Sequence, residues 1–434
     1  MWKFPITAQS LTPQLLTSGV YSFSVVNLPN PTTRLICRWS LGIVLFASFF
    51  FTGCHYHDFP EYASNYREYA YIANQGGNTV TVLDLVNLRL DRVLTVGQQP
   101  WDVAVNPLKN EVYVVNRQPQ ATGTVSVINT ETNKLTASIY VRRLPIAIAV
   151  APDGQRAYVL NSGSNSVSII DLQTRRELAV APTGQQPVSL RVAPDGRSLV
   201  VSNQKEGSIS IFTILNDSRR PLELRATIGG CAGASSLAIL PDSSKVFTAC
   251  SAPHAVMAVE LAQAPDSYAV KQNGASTRDQ QLVLLDVGKT PVHLAMKPDG
   301  GEIFVSNYDG DSISEIATGE DEVGGTYFIG SKPSYGLVSA DNTTLWISNF
   351  GSDTITAYAI DDGKINSVVR TGMAPTALAF TSAGHLLLAT DSRSGDVSVI
   401  RTQAHDQYTG RSLFTLLPAG PQPGAIAVKS FLLK

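Results

Sequence analysis

Apolar and polar residues alternate along this chain in short runs, and the runs return in a fixed order. One run ends in asparagine or a substitute: "YIAN" at Asn74, "YVVN" at Asn116, "YVLN" at Asn161, "VVSN" at Asn203, "FTAC" at Cys250, "FVSN" at Asn307, "WISN" at Asn349 and "LLATD" at Asp391. These positions lie 42, 45, 42, 47, 57, 42 and 42 residues apart, which makes eight units. A second run, such as "TVTVLDL" from Thr79 or "SVSIIDL" from Ser166, alternates apolar residues with Ser or Thr. That period of two marks a strand with two unlike faces. A third run, such as "LDRVLTVG", ends in Gly and leads toward Pro, and a fourth follows that Pro, as in "PWDVAV" or "PVHLAM". A "PDG"-type turn, a hairpin signal, then leads to the next asparagine run. Each unit is expected to be a four-stranded antiparallel meander.

One such meander has too few apolar side chains to offset the entropy of ordering its backbone, so neighbours must cover both its faces. Radial stacking does this and leaves only short edges. The fold expected is all-β: a β-propeller of eight four-stranded blades, or seven if the unit from Lys245 to Gly301 is an insertion. The first unit begins at "YIAN" with no Pro-led strand before it, and the last segment, Pro423 to Val428, is a Pro-led strand with no unit after it. The C-terminal strand is therefore expected to join the first blade and close the ring.

Composition agrees: 434 residues with 33 Gly, 24 Pro, 44% apolar and 16% charged residues suit a turn-dense globular chain. A net charge of -2 gives no basic excess for nucleic acid. Before the repeat, Arg34 and Arg38 precede the apolar run "WSLGIVLFASFFFTGC" from Trp39 to Cys54, a basic flank and short apolar core of the export type. Its "FTGC" end resembles a bacterial lipobox, which would make Cys54 the acylation site of a membrane-anchored lipoprotein; an uncleaved anchor is the alternative. Residues 1–53 thus read as a targeting segment, with 1–33 as an overlong start, 54–67 as a tether and 68–434 as the propeller. His55, His57 and Asp58 are of metal-ligand type, but a pair in a tether is read as a stalk, and no metal or other cofactor is expected.

The "YVxN", "SVSVID" and "PxxLAVxPDG" phrases resemble the bacterial YVTN-repeat β-propeller family, a branch similar to lactonase-like and cytochrome-d1-like propellers. The resemblance spans about Glu68 to Val428 and implies the fold, often on an exported or surface-attached protein; these propellers carry unrelated activities. Three functions follow. The first is a lipid-anchored, monomeric binding module of the cell envelope, on the periplasmic face of the outer membrane or the cell surface, for a protein, glycan or small ligand. The second is a lactonase-like hydrolase using the channel mouth, and the third a haem or redox-related propeller with His293 or Tyr335 as axial ligand. No G-x-S-x-G, phosphate loop, H-E-x-x-H or C-x-x-C-H is present, so no catalytic residue is assigned.

Candidate site residues come from units that depart from their siblings. Two residues past the Pro position stand Asp102, Ala147, Ser189, Ser236, His293, Tyr335, Ala377 and Ala425. Asp102, His293 and Tyr335 are the unusual ones, and Arg191 is the largest residue two positions further on. These four are expected to converge at the mouth of the central channel as a ligand site. The repeated asparagines are expected to hydrogen-bond the adjacent turn. Cys231 and Cys250, at the same end of one blade, are expected to form a disulfide. "NYDGDS" from Asn307 lacks the spacing of an EF-hand loop, and "GEDEVGG" at Gly319 to Gly325 reads as a solvated hairpin.

Overall fold

The computed structural model describes residues 60–119, 121–263, 276–403 and 411–433. The targeting segment, Cys54, His55, His57 and Asp58 lie outside them. The described strands form eight antiparallel sheets of four, seven of them consecutive in sequence. The eighth is composite, with the C-terminal strand Pro423–Leu432 innermost beside Tyr66–Asn74, Thr79–Asp84 and Arg89–Thr95. Its register pairs Tyr66 with Leu432, Ile72 with Ile426 and Asn74 with Pro423. The Leu433 and Gln75 N–H groups extend the pairing to Asn65 O (2.8 Å) and Gln422 O (2.9 Å). Each innermost strand contacts the innermost strands of the two neighbouring blades, all the way round, so the ring is closed. We number the blades from this composite one.

One strand boundary differs from the sequence reading, and the blade count agrees with it. The first strand starts at Tyr66, inside the stretch read as tether, because Tyr66 and Arg67 find partners in Leu432 and Phe431. The unit from Lys245 is an ordinary blade, which decides for eight. The "GEDEVGG" stretch is only partly a turn: Glu322–Phe328 is an outermost strand, and Asp321 pairs with Lys245 Nζ of the preceding blade at 2.8 Å.

The asparagine explains the second run. In the third strand both faces are buried: Thr81, Ser126, Ser168, Ser210, Ser314, Thr356 and Ser398 are all inaccessible to solvent or nearly so. All but Ser398, which faces Asp391, accept from an asparagine amide. Asn74 Nδ2 donates to Thr79 (2.9 Å) and Thr81 (3.0 Å), Asn203 to Ser208 (3.1 Å) and Ser210 (3.0 Å), and Asn307 to Ser312 (3.2 Å) and Ser314 (3.0 Å). Buried hydroxyls and amides need such partners, so the polar face belongs to an internal network and not to solvent. The other side of the asparagine packs on the loop that enters the blade. A Cβ built on Gly97 would lie 2.7 Å from the Asn116 side chain, and one on Gly288 would lie 2.4 Å from Asn307 Nδ2. Asn74 Oδ1 also accepts the Gly420 N–H at 3.1 Å.

Two blades make this clasp differently. In blade 5 the asparagine is Cys250, the hydroxyl positions are Ala255 and Met257, and a disulfide ties Cys250 to Cys231 in the entering loop, with Cα atoms 4.9 Å apart. In blade 8 it is Asp391, opposite Asp396. Ser398 Oγ donates to Asp391 Oδ2 at 2.7 Å, while Asp391 Oδ1 is buried without a partner. Burial, then the neighbouring Asp396 carboxylate, push Asp391 up to about 8 against the smaller opposing effect of the Ser398 bond.

Two outcomes follow from the clasp. Gly288→Ala should destabilise the protein by about 1–3 kcal/mol through overpacking against Asn307, whereas Gly319→Ala, which meets nothing within 4 Å, should not; chemical denaturation distinguishes them. Because folded Asp391 holds a proton that the unfolded chain releases, its contribution is full at low pH and is lost as pH rises toward about 8. Asp391→Asn should therefore raise Tm near pH 8 and flatten the Tm profile between pH 4 and 8.

Candidate functional site

The innermost strand of each blade has one edge without a partner strand, and that edge lines the channel. Its unpaired N–H groups are where the unusual residues act. Asp102 in blade 2 accepts its own neighbour Val103 N–H on Oδ1 (2.9 Å) and, across the gap, Ile148 N–H of blade 3 on Oδ2 (2.9 Å). Ser236 Oγ of blade 5 accepts Leu294 N–H of blade 6 (3.2 Å), and His293 Nδ1 of blade 6 accepts Gly336 N–H of blade 7 (3.2 Å). The same register position thus straps one blade to the next at Asp102, Ser236 and His293. Sequence reasoning singled out Asp102 and His293 but missed this strut role; the shared register with Ser236 was the available signal.

Two of the cavities among the described residues lie along the channel. The wider, about 620 Å³, lies at the face where the asparagine strands end and is lined by Gln75, Ser334, Phe350, Arg393, Gln422 and Tyr335. Arg393 stacks over the Phe350 ring at 4.9 Å there, and on the same face Arg117 covers Trp101 at 4.1 Å. The narrower, about 280 Å³, is bounded by the innermost strands of blades 4 to 7 and contains Arg191, His293 and Tyr335. Tyr335 belongs to both chambers, and its ring stacks on His293 with centroids 3.9 Å apart and planes 29° apart. Three of the four expected residues thus share one cavity. Asp102 does not line it, because its oxygens are turned to the Val103 and Ile148 N–H groups.

The electrostatics follow from confinement. His293, Tyr335 and Asp102 each keep some surface open to the channel, yet protein surrounds them and bulk water is remote. His293 is pushed down to about 3, first by burial and then by the Arg191 charge, so the imidazole is neutral. With Nδ1 accepting from Gly336, its proton sits on Nε2. Burial raises the Tyr335 hydroxyl, with Arg191 opposing, and raises the Asp102 carboxyl, with the Ile148 and Val103 N–H groups and Arg191 opposing. Arg191 itself is exposed to the channel and, among the described residues, donates only to Leu190 O at 3.2 Å. Asp311, in the "NYDGDS" stretch, has its Oδ1 occupied by the Lys332 N–H at 2.8 Å. Among the described residues no three His, Cys, Asp or Glu side chains gather as metal donors.

The family model described as YNCE-like beta-propeller matches residues 137–410, well over half of the chain. This chain belongs to that family. Among solved structures, the dihydro-heme d1 dehydrogenase NirN is 16% identical, covers 85% of this chain and 76% of its own, and superposes with a TM-score of 0.65. A putative 6-phosphogluconolactonase from Bacteroides uniformis is 14% identical over 84% of this chain and all of its own, with a TM-score of 0.58. The periplasmic gluconolactonase PpgL of Pseudomonas aeruginosa is 14% identical over 84% and 98%, with a TM-score of 0.55. At these identities the likeness shows the fold alone. No curated protein sequence matches the chain.

The site makes a direct prediction about protonation. The His293 imidazole resonances should show no titration between pH 5 and 8 by NMR, and Arg191→Gln should move the pKa upward without restoring the ordinary value, since burial is the larger cause.

Proposed function

We propose that this protein is an exported, lipid-anchored binding module that holds its ligand in the central channel at Arg191, His293 and Tyr335. The observation that carries this reading is the engagement of His293. Its Nδ1 is committed to the Gly336 N–H, and what it turns to the cavity is a donor, not a base able to activate water. Asp102, the other candidate base, has both oxygens occupied by backbone N–H groups. These side chains are built to brace the ring and to present donors, which suits holding a ligand more than hydrolysing one.

Export rests on the basic-apolar segment ending in "FTGC" at Cys54, and the Cys231–Cys250 disulfide suits an oxidising compartment. The chain enters at Tyr66 and leaves at Leu432, which pair at the face opposite the wider chamber. That chamber's mouth therefore opens away from the side on which the polypeptide enters.

Capture from the envelope fraction with the mature wild-type protein and a His293→Ala/Tyr335→Ala variant tests the reading. The wild type should retain a specific ligand that the variant retains at least tenfold less, with gluconolactone turnover at background in both. Equal retention would refute the channel site, and turnover abolished by the variant would favour the hydrolase.

A further inference from the structure

Granting the channel as the binding seat, we propose that the narrower chamber takes an anion with an apolar body, and that a medium-chain carboxylate is its ligand class. Three groups with donors to spare among the described residues meet this cavity: the Arg191 guanidinium, which gives one N–H to Leu190 O, the Nε2–H of neutral His293 and the Tyr335 hydroxyl. Beside the strands' backbone edge, apolar side chains that keep some surface complete the wall: Val192, Ile239, Met296 and Leu337. The one nearby carboxylate, Asp102, stands outside the lining and is already satisfied by Val103 and Ile148.

This combination discriminates among ligand classes. A carboxylate accepts from a planar guanidinium and from two further donors, and charge-assisted bonds of that kind are the strong ones. A cation would meet the like charge of Arg191 in the same cavity. A polyol would set hydroxyls against Leu, Ile and Met side chains and leave them unpaired, at a cost of roughly 1–3 kcal/mol each. An alkyl chain finds those same walls favourable, at about 0.8 kcal/mol per buried CH2. At about 280 Å³ the chamber is of small-ligand size and admits a chain of several carbons.

Calorimetric titration of the mature protein with sodium octanoate, 1-octanol, octylammonium and sodium acetate tests this. Octanoate should bind at least tenfold more tightly than 1-octanol, and both octylammonium and acetate should show no saturable binding. Arg191→Gln, a change at a side chain open to the channel, should weaken octanoate at least tenfold and leave 1-octanol unchanged, and Arg191→Lys should retain part of the preference. Octanoate binding no tighter than 1-octanol, absent altogether, or indifferent to Arg191→Gln would overturn the assignment. The two readings fail separately. Loss of captured ligand in the His293/Tyr335 variant without octanoate binding would refute the ligand class and keep the channel site. Octanoate binding that the same variant leaves unchanged would refute the channel residues.

Discussion

The pairing of the chain's last strand with its first is the constraint on which the rest of this molecule depends. Pro423–Leu432 hydrogen-bonds along Tyr66–Asn74, so blade 1 exists only once the whole polypeptide has been threaded round the ring. Without that pairing the buried second strand of blade 1 would become an exposed edge, and blades 1 and 8 would each lose a packed face. Closure also brings eight innermost strands into one circle, which creates the channel along which the two chambers lie. Because each innermost strand turns an unpaired edge inward, the channel wall starts with backbone donors to satisfy, and Asp102, Ser236 and His293 do so across blade boundaries. Channel chemistry and ring integrity therefore share residues.

A second constraint repeats in every blade: the end of the second strand must be tied to the loop that enters the blade. Most units do this with an asparagine amide between two hydroxyls and a close-packed glycine. Blade 5 replaces it by a covalent link between Cys231 and Cys250, with Ala255 and Met257 where hydroxyls are no longer needed. Blade 8 uses Asp391 beside Asp396, two carboxyl groups that are tolerable together when one keeps its proton. One mechanical task is met by amide, disulfide and acid chemistry, and the sequence substitutions that look degenerate are coordinated within their own blades.

Much of this architecture was legible before any coordinates. Strand order, blade count and closure follow from period, turn residues and two orphan strands, because those signals are local and repeat eight times. The Cys231–Cys250 link was readable because both residues flank one hairpin. Less legible was the burial of Thr81 or Ser314, since alternation of apolar and polar residues looks the same whether the polar face meets water or a buried asparagine. The strut role of His293 was signalled only by the register it shares with Ser236, because its partner, Gly336 N–H, belongs to another blade and is an ordinary backbone group. The same holds for Asp102, whose position suggested the cavity that its hydrogen bonds turn it away from.

Hydrogen exchange resolved to single residues tests closure most directly, since it reports whether the first strand is a frayed end or an interior one. The account predicts that the amides of Tyr69 to Ala73, together with that of Ala427, which faces the first strand, exchange as slowly as the second strand of a middle blade such as Leu199–Ser202. Rapid exchange in the terminal pair, with slow exchange kept in the middle blades, would contradict it.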